Sequence, residues 1–317
     1  MDTGFLLDMT DFFCTMNPGG LDRTTLLGGE PTLHPDITKI ANEYSQKPIK
    51  ERRMTTNGIG LNNLKLENLA NGAFDHVSIS IDGTEPGVNN LTRGRGTFDK
   101  ILRTMELYRQ AGVTLSTNYT VTANNIKTLD EVIPFFADKG VKIINFHHVS
   151  LDGNAYNNQG LLVTPTKWIQ ARDKLFKKIE ESKANHSLPH GLTIRIPYIY
   201  LTEKQIIDLD YRPLQEQNYH SLDGDNARRL IVFPPTEHGK GLCYMSADLI
   251  GQPNAQLGHV TSNGAFVWNN HPSNEYMSYL KSPTANVSTR IKHQESMEGV
   301  GEGFIRVSNS FKTKIET

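Results

Sequence analysis

The feature that most constrains this chain is one pattern repeated through its first half: a short β-rich run, a turn, then an amphipathic helical stretch. Strand-like runs fall at 23–27, 50–56, 75–81, 113–121 and 141–147. Their starts recur about every 25 to 40 residues, the spacing of βα units. Helical periodicity marks the stretches near 35–46, 62–70, 98–110 and 126–138. Pro35 falls in a first helical turn, where its missing N–H costs nothing, and Gly112 and Gly140 follow the last periodic residues, where a left-handed C-cap is expected. Repeated βα units imply a parallel sheet with right-handed crossovers, either an open doubly wound sheet or a barrel. Periodicity does not choose between these. Both place functional residues at the C-terminal ends of the strands.

Composition narrows the function classes. The 317 residues are 37% hydrophobic and 21% charged, with a formal net charge of -1. That length suits a large α/β domain with an appendage, or two domains. The balanced charge leaves no electrostatic footprint for nucleic acid or an anionic membrane surface. No run approaches a membrane span, and residues 1–16 lack the basic flank of a signal peptide. A cytoplasmic protein is expected, with neither nucleic acid nor membrane as partner. The two cysteines, Cys14 and Cys243, exclude a disulfide framework and a thiolate cage made by this chain alone. His238, Cys243, His259 and His271 are too irregularly spaced for a zinc site, so no metal ligand set is expected here.

The texture changes near residue 150, which divides the expected domains into 1–150 and 151–317. Residues 151–162 read as a loop. Thr164 and Pro165 then open a helix that runs to about Ala184, with Thr as N-cap and Pro at the first helical position. A strand is expected at 192–201, an ambiguous polar stretch at 202–227, and a short strand at 228–233 stopped by a double proline. Ser262-Asn263-Gly264 sits between two β-rich runs as a hairpin near 259–268. The tail beyond about residue 282 is expected to be poorly ordered or to pack as a peripheral strand.

The loops after the first-half strands carry the chemistry. The first reads Gly28-Gly29-Glu30-Pro31-Thr32-Leu33 and the second Thr55-Thr56-Asn57-Gly58. The third strand ends Ser78-Ile79-Ser80-Ile81-Asp82-Gly83, followed by Arg93-Gly94-Arg95-Gly96-Thr97-Phe98. The glycines let backbone approach a ligand and turn carbonyls toward it. Such carbonyls with a carboxylate at Glu30 suit an ammonium group. Ser80 and Asp82 suit a ribose diol, and Arg93 offers a planar fork for a carboxylate. Each alone is an ordinary turn or a solvated charge; their joint order at successive strand ends points to one polar pocket. Adjacent strand residues face opposite sides, so of His147 and His148 at most one enters it. His147 is assigned there, against substrate or adenine, and His148 to packing.

This order of GGEP, TNG and SIDG loops resembles the radical S-adenosylmethionine (radical SAM) superfamily over about residues 24–149. The resemblance implies a partial (β/α) barrel of parallel strands, followed here by a smaller C-terminal α+β extension. It implies that Gly28, Gly29 and Glu30 hold the methionine amino group, with Pro31 and Asn57 in the same loops. It places Ser80 and Asp82 near the ribose and Arg93 near the carboxylate of S-adenosylmethionine. The complete protein would be an enzyme that cleaves S-adenosylmethionine reductively at a 4Fe–4S cluster and abstracts hydrogen from an organic or peptide substrate. A flavodoxin or ferredoxin would supply the electron. The second half, with Cys243 and the hairpin, is similar to the opening of the auxiliary-cluster (SPASM or twitch) extensions.

The sequence departs from the family at its defining element, C-x3-C-x2-C, for which Cys14 is no substitute. Residues 5–16 read as a helix and Cys14 as one of its packing residues. Three explanations stand: a fragment of a longer enzyme, a clusterless pseudoenzyme that binds S-adenosylmethionine, a nucleoside or a protein, or a chain completed by a partner. The fragment is the expectation adopted, and an unpaired sheet edge beside 23–27 its expected liability.

Overall fold

The computed structural model describes residues 1–149, 155, 157–197, 200–201, 231–235, 241–244, 256, 258–262, 264–268, 305–306 and 312–317. These group into two compact units that interleave along the chain. The larger is built from Arg23–Ser45, Glu51–Ile207 and Gln294–Thr317, the smaller from Met1–Asp22, Gln46–Lys50 and Asp208–His293.

The larger unit is organised by one seven-stranded sheet. Its strands are β1 (Thr24–Leu26), β2 (Arg52–Thr56), β3 (His76–Ser80), β4 (Thr114–Val121), β5 (Ile143–His148), β6 (Thr193–Pro197) and, at the far edge, the C-terminal Lys312–Glu316. The first six lie side by side in sequence order and pair in parallel; the last joins β6 antiparallel. The tail thus ends in the peripheral strand its sequence allowed. Among the described residues β1 pairs with β2 alone.

Sequential order decides between the two sheets that periodicity left open. A doubly wound sheet reverses direction once and carries helices on both faces. Here every crossover between the parallel strands steps the same way, and right-handed crossovers then put the packed helices on one face and leave the other as a lumen. The burial pattern agrees. Val77, Ile79, Leu115, Ile144, Phe146 and Ile194 point to one side and are buried almost completely. They join one core with α2 (Ile37–Gln46), α3 (Leu66–Ala70), α5 (Thr97–Gln110), α6 (Leu129–Asp138) and α7 (Pro165–Ala184). Large core side chains such as Tyr108, Phe136 and Trp168 each contribute on the order of 2 kcal/mol by leaving water. The alternate residues, Ser78, Ser80, Asn118, Asn145 and Arg195, face the other side and are polar. This is a partial barrel whose convex face is oily and whose concave face is wet.

Local findings also differ from the sequence reading. A further helix, α4 (Pro86–Arg93), stands where a loop was expected; Pro86 occupies its first turn, with Glu85 as N-cap. The strand expected to stop before the double proline instead runs through it, at Ile231–Pro235. It is the outer strand of its sheet, where a missing N–H breaks no ladder, and its register slips between Val232 and Pro235.

The smaller unit contains α1 (Thr3–Met16) and a four-stranded antiparallel sheet, Ile231–Pro235, Gly241–Tyr244, Gly258–Val260 and Phe266–Trp268, in that spatial order. The last two form the expected hairpin. Phe5 of α1 packs with Cys243 and Val260, and Met9, Phe13 and Val232 close the cluster. The expected strand 192–201 is divided into β6 and a short strand, Tyr200–Leu201. Residues 202–227, His238 and His271 lie outside the described residues.

Candidate functional site at the strand ends

The site is built from the turns that follow β1, β2 and β3. Leaving β1, the chain turns at Gly28 and Gly29, with φ of 92° and 53°. The left-handed region favours glycine at both. A Cβ at either position would meet nothing within 4 Å, so backbone conformation, not crowding, sets the requirement.

Glu30 fixes this turn to the next strand. Its Oε1 accepts from the Thr32 backbone N–H at 3.1 Å, the Thr32 hydroxyl at 2.7 Å and the Thr56 hydroxyl at 2.7 Å. Its Oε2 accepts from the Asn57 backbone N–H at 2.6 Å. Glu30 also N-caps the short 3-10 turn Pro31–Leu33, with Pro31 in its first turn. Both oxygens of the carboxylate are therefore engaged within the protein. Asn57 turns inward on its own loop, its Oδ1 accepting from Ile59 N–H at 2.9 Å.

Asp82, just past β3, is the second tie. It is 3% exposed. Its carboxylate accepts from the Thr120 N–H of β4 at 2.9 Å, the Thr92 hydroxyl at 2.9 Å, and both Nε and Nη2 of Arg93, at 2.6 and 3.0 Å. Its own N–H donates to Asn89 Oδ1, and its carbonyl accepts from Asn125 Nδ2. The Arg93 fork, expected for a ligand carboxylate, embraces Asp82. Two residues read separately from sequence form one bidentate pair that locks α4 across the ends of β3 and β4.

Ser80 and His147 lie on the polar face, in line with Asn118 and Thr120 respectively. His148 turns to the core, where its ring meets Trp168 edge-on at 5.5 Å. The structure thus bonds Glu30, with Gly28, Gly29 and Pro31 as its chain neighbours, to Asn57, and Asp82 to Arg93. Ser80 and His147 open on the lumen.

Lower on the same face is a group that sequence did not single out. Glu51 accepts from Arg23 Nε at 2.7 Å and lies 2.6 Å from Arg53 Nη2. Burial alone would raise its carboxyl, but the hydrogen bonds from Arg53 and Arg23 bring it down to about 2. His76 lies 3.7 Å from Glu51 on one side and 2.7 Å from the Ser116 hydroxyl on the other. Burial, followed by the Arg53 charge, lowers it to about 4, so this histidine is neutral near pH 7. No motif marks these residues. The signal was the inward parity of polar residues along each strand.

The two cysteines fall short of the thiolate set that an iron–sulfur cluster needs. Both are buried, and burial raises both thiols, Cys243 to about 12. Among the described residues no three His, Cys, Asp or Glu side chains converge on a possible metal position.

Comparison with known proteins places this arrangement. Residues 15–136 match the model of the radical SAM superfamily. This segment belongs to that superfamily. A probable GTP 3',8-cyclase of Sulfurisphaera tokodaii is 31% identical over 54% of this chain and 54% of its own length. A PqqA peptide cyclase of Ruegeria pomeroyi is 24% identical over 51% of this chain and 43% of its own. Among solved structures, anSMEcpe with bound AdoMet superposes with a TM-score of 0.59 at 18% identity, covering 89% of this chain and 71% of that one. At that identity the likeness shows the fold, a partial barrel of parallel strands. The chain spans about half the length of the curated relatives it matches. No helix of the described residues is long and apolar enough to cross a membrane.

Proposed function

We propose that this chain is the cofactor- and substrate-holding part of a radical SAM enzyme, and that S-adenosylmethionine binds at the mouth of its partial barrel. The observation that carries the reading is the Gly28-Gly29 turn, two left-handed residues with open space before them, braced from behind by Glu30. Backbone carbonyls freed by such a turn suit the methionine ammonium. Glu30 then acts by holding the turn, since its own oxygens are already bonded. Asp82 and Arg93 likewise set the β3 and β4 ends, leaving the hydroxyl of Ser80 to meet the ribose and His147 to meet adenine or substrate. The substrate is an organic molecule or a peptide seated over the polar face; one similar protein is named a GTP cyclase and another a peptide cyclase.

The cluster at which this superfamily cleaves S-adenosylmethionine has no ligand set in this chain, which carries two buried cysteines. The chain's own share is therefore binding and orientation, with the hard chemistry belonging to the cofactors. That cysteine count also favours a second reading, a clusterless protein that binds S-adenosylmethionine or a nucleoside without turning it over.

Calorimetric titration of the iron-free chain with S-adenosylmethionine tests the shared core of both. Saturable binding that weakens at least tenfold in Gly28→Val and Gly29→Val, with both variants folded, is the expected result. No binding, or binding indifferent to both substitutions, would remove the cofactor site from this turn.

A further inference from the structure

We propose that the concave face of the sheet carries an oxyanion subsite centred on Arg195 and Arg53, which receives a carboxylate or phosphate of the substrate. The inference rests on the reading above only in taking that face as the substrate side.

Arg195 stands at the middle of β6, half-buried, between Ile194 and Ile196, whose side chains turn into the core. Among the described residues it makes one hydrogen bond, from Nη1 to Asn145 Oδ1 at 3.4 Å, and no ion pair. Burial, then the charges of Arg53 and Arg23, hold its guanidinium below its ordinary value, with Glu51 and Glu316 acting the other way. Arg53, on β2, points into the same lumen, in register with His76 of β3, which shares the face of Ser80 and Arg195. Arg53 itself is incompletely satisfied, for its buried Nε has no hydrogen-bond partner among the described residues. Of the two carboxylates that bear on Arg195 among the described residues, Glu51 is shared between Arg23 and Arg53, and Glu316 is exposed. His76, beside them, is neutral near pH 7 and cancels no charge.

A half-buried guanidinium with open donors, sharing a lumen with a second one, is costly unless an anion completes the site. Its planar fork matches carboxylate and phosphate alike. The pairing register gives the subsite its distance from the mouth. Ser80, Asn118, Asn145 and Arg195 form one polar row across β3 to β6. At the usual strand spacing Arg195 lies about 14 Å from Ser80 along that row. A substrate anchored at Arg195 would present the part of itself one small molecule's length away to whatever Ser80 helps to hold.

The test is the thermal unfolding of the whole chain in chloride buffer against equal ionic strength of inorganic phosphate or of acetate. Wild type should gain roughly 3 °C at anion concentrations near ten times the dissociation constant. A gain with phosphate alone assigns a phosphate, and a gain with acetate as well assigns a carboxylate-competent site. Arg195→Gln should lose the gain yet unfold no lower than wild type in chloride, because it removes an unpaired charge. Arg195→Lys, which keeps charge without the fork, should retain a smaller gain. The inference is overturned if phosphate and acetate leave wild type unchanged, if Arg195→Gln keeps the gain, or if it unfolds lower in chloride. Titrating the same samples with S-adenosylmethionine separates the two readings. An Arg195-dependent anion gain without S-adenosylmethionine binding upholds the subsite and sinks the cofactor assignment, and the reverse pattern does the opposite.

Discussion

At the scale of single residues, the site is built of carboxylates that serve the protein before any ligand. Asp82 is buried and neutralised by Arg93, whose side chain is 26% exposed. Asp82→Asn leaves that guanidinium facing a neutral amide and should cost about 3 kcal/mol in urea unfolding. Adding Arg93→Gln should restore part of the loss, which is the signature of a coupled pair. Glu30→Gln should cost about 1–3 kcal/mol by the same measurement, because an amide cannot accept from both the threonines and the Asn57 N–H. The motifs themselves were legible, since glycines and turn residues at strand ends advertise their backbone geometry. The pairing of Asp82 with Arg93 was not. It depends on α4, which folds the chain back on itself within a stretch that reads as loop.

At the scale of elements, one strand can be isolated by pH. His76 opens β3 between Glu51 and Ser116, with Arg53 and Arg195 as the cations facing it. Its folded value of about 4 lies below its ordinary 6.5. The unfolded chain therefore takes up the proton first. Stability is fully present above 6.5 and is lost as pH falls through that window toward 4. Urea midpoints measured from pH 7 to pH 4 should show this decline in wild type and a flatter profile in His76→Gln. An unchanged slope in the variant would assign the decline elsewhere. The strands were legible as elements because their spacing is regular; α7 began where its cap placed it, and β6 close to where its alternation did. The polar lumen was not legible, because parity assigns residues to a face only once strand order says which face the helices cover.

At the scale of the whole molecule, the two buried thiols report on the smaller unit. Burial raises both Cys14 and Cys243, so a thiol reagent at neutral pH should modify neither in the native protein and both in denaturant. Fast modification of Cys243 without denaturant would mean that the cluster of Phe5, Cys243 and Val260 is open in solution. The fold class was readable from βα spacing. The choice of barrel over doubly wound sheet came from strand order, which propensity does not encode. The central claim is that S-adenosylmethionine sits at the Gly28-Gly29 turn, and a crystal structure of this chain soaked with it is the most direct test. Its methionine amino group should lie within hydrogen-bonding distance of the backbone carbonyls of that turn, with the ribose toward Ser80. Density for the molecule anywhere else on the chain, with this turn left bare, would contradict it.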